Sequence, residues 1–144
     1  MRLPEEFRER TKRYASALIK LYMQLPTRRR EVEVLGHQLL RSATSVAAHT
    51  REASRARSTA ELCSKIDGAL QEADESELWL ELLRDDCGIN AAELSVVLAE
   101  TNELIAIFAT MRAKRNAQRW QAMSEFQLFS FSAFQYLLQA PDPG

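Results

Sequence analysis

Apolar and small residues return at alternating spacings of three and four along four separate stretches, the spacing that gathers side chains on one face of an α-helix. The first stretch runs Phe7, Thr11, Tyr14, Leu18, Leu21, Leu25 and is stopped by Pro26. The second runs Val32, Leu35, Leu39, Ala43, Val46, Thr50, Ala53, and the third Leu62, Ile66, Ala69, Ala73, Ser76, Leu80, Leu83. The fourth is Leu94, Val97, Thr101, Leu104, Phe108, Met111. Ser58 with Glu61 has capping-box spacing, which starts the third helix near Thr59. Cys87-Gly88 stops it, and Asn90 with Glu93 offers the same cap to the fourth. Short connections force neighbouring helices antiparallel, so the pattern predicts an all-α chain, an antiparallel up-and-down four-helix bundle over residues 1–116.

Residues 117–144 form an extension beyond the bundle. Within it, residues 126–138 read FQLFSFSAFQYLL and hold five of the eleven aromatics, Phe126, Phe129, Phe131, Phe134 and Tyr136. So much apolar surface is expected to pack on the bundle or on a neighbouring subunit. Phe126, Phe129, Ala133 and Tyr136 or Leu137 fit a helix, while 126–131 also reads as partial strand alternation.

The bulk numbers agree with one helical domain. Of 144 residues, 46% are apolar and 27% charged, which excludes a disordered chain, and Gly and Pro number only four each. No uninterrupted apolar run reaches the roughly 20 residues that span a bilayer, and the charged start MRLPEEFRERTK has no secretory apolar core. The expectation is a cytoplasmic protein with no membrane partner, in which Cys63 and Cys87, lacking metal-ligand spacing, are reduced thiols in or near the core. The net charge of −1 hides a division. Residues 1–60 carry 13 Lys and Arg against 6 Asp and Glu, a net of +7, and residues 61–110 carry 2 against 12, a net of −10.

At about 100° per residue, Arg30, His37, Arg41, Thr44, Arg51 and Arg55 fall opposite the apolar stripe of the second helix. Guanidinium groups grip phosphates bidentately, so this outer stripe is a candidate seat for RNA or DNA, extended by Arg28 and Arg29 at the helix start. Three arginines where the helix dipole favours negative charge suggest that something outside the helix uses them. The plainer reading is a solvated face, neutralised by the acidic third helix or by a neighbouring subunit. On the third helix Leu78, Trp79 and Leu82 lie off the core stripe and mark a candidate oligomer interface, or an edge that Trp79 covers.

Nothing in the sequence supplies a cofactor or metal site: neither His37 nor His49 follows a Glu at the spacing of di-iron bundles, and there is no phosphate loop or nucleophile elbow. A non-enzymatic protein is expected. The rival from another class is a metal-independent ribonuclease, since Arg30 and His37 on one face loosely resemble the Arg-His pair of toxin-like helical-bundle ribonucleases. A purely structural oligomer is the third reading.

The segments RTKRYASALIKLYMQLP, QLLRSATSVAAHTREA and SELWLELL resemble the four-helix-bundle proteins encoded in intervening sequences of large ribosomal RNA, a family that includes the accessory variability proteins of diversity-generating retroelements. The resemblance covers about residues 7–115 and is most specific in QLLRSATSV with the Glu52-Ala53 pair. It implies a homopentameric ring and, in the retroelement members, a basic surface that serves RNA and a reverse transcriptase. The sequence departs from that pattern in its slightly acidic balance, in Ala48-His49 and in the aromatic tail.

Overall fold

The computed structural model describes residues 3–114. Four helices occupy them: α1 (Glu5–Gln24), α2 (Arg30–Ser54), α3 (Thr59–Asp85) and α4 (Ala92–Lys114). They form the expected antiparallel bundle, and no strand occurs among the described residues. The aromatic segment 126–138, and with it the outer part of the 1–116 and 117–144 division, lies outside the described residues.

Local chemistry sets the boundaries. Leu25 turns extended ahead of Pro26 and ends α1. The Ser58 hydroxyl accepts from the Glu61 amide at 3.1 Å, and the Glu61 carboxylate accepts from the Arg57 amide at 3.0 Å. The reciprocal cap therefore reaches one residue further back than the usual box. Past α3, the Asp86 and Cys87 amides both donate to the Leu82 carbonyl and the Ile89 amide to that of Leu83. That wrap needs Gly88 at φ 67°, a left-handed conformation that glycine adopts without strain. α4 begins at Ala92, one residue later than an Asn90 cap would start it.

Every stripe position named above is buried except Leu35, Leu62 and Met111, which are half-buried against the core. Phe7 and Phe108 meet edge to face, their ring centroids 5.4 Å apart. The polar stripe residues pair with one another. Tyr14 and Thr101 share a 2.7 Å hydrogen bond, as do Ser42 and Ser76, so one buried layer draws a hydroxyl from each helix. Burial pushes the Tyr14 phenol up to about 12, against the opposing pull of its bonds to Thr101 and Ser76.

The four helix-to-helix seams differ. α2 and α3 pack most extensively and α1 and α4 least. Gly68 permits the α2–α3 approach: a Cβ there would stand 3.3 Å from the His49 ring. α4 is long and apolar enough to cross a bilayer by length and composition alone, a property that uninterrupted apolar runs do not reveal. Less than half of that stretch is buried in the bundle.

Candidate nucleic-acid interface

Antiparallel packing of α2 on α3 decides which arginines meet acid. Arg41 donates to Glu75 at 2.8 Å, lies 3.5 Å from Glu72 and touches Gln38. Its charge is spent between helices, as the plainer reading expected. Arg29 places Nη1 on the Cys87 carbonyl at 2.8 Å and Nε on Glu31 at 2.8 Å. A cation at the carbonyl-rich end of α3 is favourable, and this accounts for an arginine at the wrong end of its own helix. The Glu31 carboxyl is held below its usual range, first by its own backbone amide and then by Arg29. Arg28 and Arg30 are exposed.

Further along α2 the opposing residues change. Opposite Glu52, α3 presents Lys65, and the two pair at 2.6 Å. The bond lowers the Glu52 carboxyl and raises the Lys65 ammonium. Because Lys65 takes Glu52, and Glu61 is turned onto the Arg57 amide, no ion pair holds Arg51, Arg55 or Arg57 among the described residues. The three line a single open cleft of about 640 Å³, floored by Thr44, Ala47 and Ala48.

The structure thus brings Arg51 and Arg55 together, diverts Arg29 and Arg41 to internal partners, and leaves Arg28 and Arg30 at the far end of the helix. Arg57 and Lys65 were missed in the sequence. Arg57 follows the end of α2, where a helical projection no longer applies, and its only signal was the Arg-Ala-Arg-Ser run at the helix break.

The interface candidates also divide. Leu78 is 47% exposed, and Trp79 packs half-buried on the core edge with its Nε1 buried and without an acceptor among the described residues. Leu82 is half-buried. The Ser42–Ser76 and Arg41–Glu75 pairs set the antiparallel register, which brings Val34, 52% exposed, to the level of Leu82. Val34 and Leu78 are exposed apolar side chains on the α2 and α3 sides of this seam.

For the ribonuclease reading, Arg30 and His37 stand about 10 Å apart along the helix axis, and the His37 ring leans on Tyr22 at 5.7 Å. No cluster of three or more His, Cys, Asp or Glu side chains placed to hold a metal occurs among the described residues. Cys63 is half-buried, Cys87 is buried, and both are free.

No curated protein matches the chain. It is similar to a crystal structure of a protein with unknown function from the S23 ribosomal protein family of Bacteroides thetaiotaomicron. The two are 30% identical, with a TM-score of 0.66, over 73% of this chain and 96% of that one. The 23S rRNA-intervening sequence protein family matches residues 6–110, nearly the whole bundle, and the chain belongs to that family.

Proposed function

We propose that the protein is a non-enzymatic, self-associating bundle that seats the phosphate backbone of RNA or DNA in the α2–α3 cleft, alone or beside a nucleic-acid-processing partner such as a reverse transcriptase. The observation that carries the reading is the trio Arg51, Arg55 and Arg57, gathered in one cleft whose carboxylates are already engaged. A cluster of this kind neutralises phosphates and releases their counterions, which gives affinity without sequence preference.

Self-association would repeat the cleft around a ring and multiply weak contacts through effective concentration. The exposed Val34 and Leu78 support it, and the homopentamer is the assembly expected from the family resemblance. The reading needs no cofactor and no membrane, and it suits the cytoplasm.

Gel shifts with a mixed-sequence RNA and a DNA of equal length test the reading. Wild type should bind at low salt and release steeply as salt rises, and Arg51→Ala/Arg55→Ala/Arg57→Ala should bind at least about tenfold more weakly. Equal binding by the two proteins, or no binding at low salt, sinks it. Sedimentation tests assembly separately: wild type should run well above the 16.4 kDa monomer and Leu78→Glu closer to it. A wild-type monomer at micromolar concentration overturns that part.

A further inference from the structure

We propose that the groove between α1 and α4 is the seat of the chain's own aromatic segment, residues 126–138. The groove has a volume of about 420 Å³ and is walled by Tyr14 and Ala17 on α1 and by Val96, Val97 and Ala99 on α4. Val96 stands 68% exposed on its rim. This seam is the least packed of the bundle, and α4, its second wall, is apolar over more of its circumference than the other helices cover. A helix apolar on so many sides calls for a further cover. The lining also carries two arginines, Arg10 and Arg13, and two glutamates, Glu100 and Glu103, so its charges balance, and Arg10 pairs with Glu100 at 2.6 Å.

Residues 126–138 match that site in chemistry and reach. They contain no charged side chain, and read as a helix they place Phe126, Phe129, Ala133 and Leu137 on one face. The described chain ends at Lys114, about 22 Å along α4 from the middle of the groove. Residues 115–125 provide 11 residues of tether, which spans up to roughly 36 Å when extended, enough to turn back along α4. A tether of that length holds the segment at an effective concentration on the order of millimolar at the groove of its own chain, whatever the assembly around it. The groove then binds in cis.

A benzophenone side chain in place of Val96, in the full-length protein, tests this. Illumination of a refolded equal mixture of light and nitrogen-15-labelled chains should give crosslinked peptides that join position 96 to residues 126–138 and carry a single isotope. Mixed-isotope crosslinks would make a second copy the occupant, and crosslinks that miss 126–138 would leave the segment without this seat; either overturns the proposal. Limited proteolysis provides an independent check without the bulky probe. Val96→Glu should speed cleavage within 126–138 at least about tenfold, whereas Met23→Glu, exposed elsewhere on α1 and outside the groove, should leave it unchanged. Equal cleavage of wild type and Val96→Glu also overturns it.

Discussion

Arg41 and Arg51 sit ten positions apart on the outer side of one helix and have opposite fates. Arg41 faces Glu72 and Glu75 and is paired across the helix seam at the surface, whereas near Arg51 α3 presents Lys65, which takes the local carboxylate for itself. The contrast teaches that a basic stripe is a property of two helices. Charge on α2 reaches solvent only where the register of α3 withholds acid.

The comparison breaks most visibly in binding. Arg41→Ala should leave nucleic-acid affinity within about threefold of wild type. The triple variant of Arg51, Arg55 and Arg57 should also flatten the salt dependence, by about one unit of logarithmic slope for each phosphate no longer neutralised. Comparable weakening in the two variants would erase the distinction between the halves.

Next in size is the stabilising role of the arginine at the helix start. Arg29→Ala should lower the unfolding free energy by about 1 kcal/mol, because it removes a charged donor from the Cys87 carbonyl. Arg28→Ala, which removes no such bond, should leave the urea midpoint unchanged.

The sharpest version converts one half into the other. Glu72→Gln/Glu75→Gln releases Arg41 and lengthens the exposed basic surface, so affinity for RNA should rise by a few-fold. Stability should change by less than about 1 kcal/mol, since the bridges are largely at the surface. A drop in affinity would mean that the pair orders the cleft.

The smallest effect concerns Glu77, an acid on α3 whose neighbours are other acids. Burial, with Glu81 and Asp74 nearby, holds the Glu77 carboxyl above its usual range. Its charged form therefore costs stability at neutral pH, a cost removed as pH falls through the raised folded value. Glu77→Gln should raise the melting temperature slightly at pH 7 and leave it unchanged near pH 3. A gain of the same size at both pH values would point to packing instead.

The bundle was legible in the sequence because its core follows strict three-four spacing from Phe7 to Phe108, and even Thr11, Ser76 and Thr101 were placed inward. The cap at Ser58 and the stop at Gly88 were legible for the same local reasons. The charged site was only half legible. A helical projection places Arg41 and Arg51 on the same side of α2, but it carries no information about which α3 residue lies across the seam. Only the antiparallel register sets Glu75 against Arg41 and Lys65 beside Glu52. Arg57 escaped because it lies past the last turn of α2, and Arg29 because its acceptor is a backbone carbonyl distant in sequence.

The hydroxyl layer of Tyr14, Ser42, Ser76 and Thr101 has a mechanical consequence. A one-turn slide of α1 against α4 would take the Tyr14 phenol from Thr101 at a cost of roughly 1–3 kcal/mol, whereas Ser42, Ser76 and Thr101 would keep their bonds to carbonyls of their own helices. The layer therefore resists sliding at the α1–α4 seam more than at the α2–α3 seam, where each serine carries its own carbonyl along.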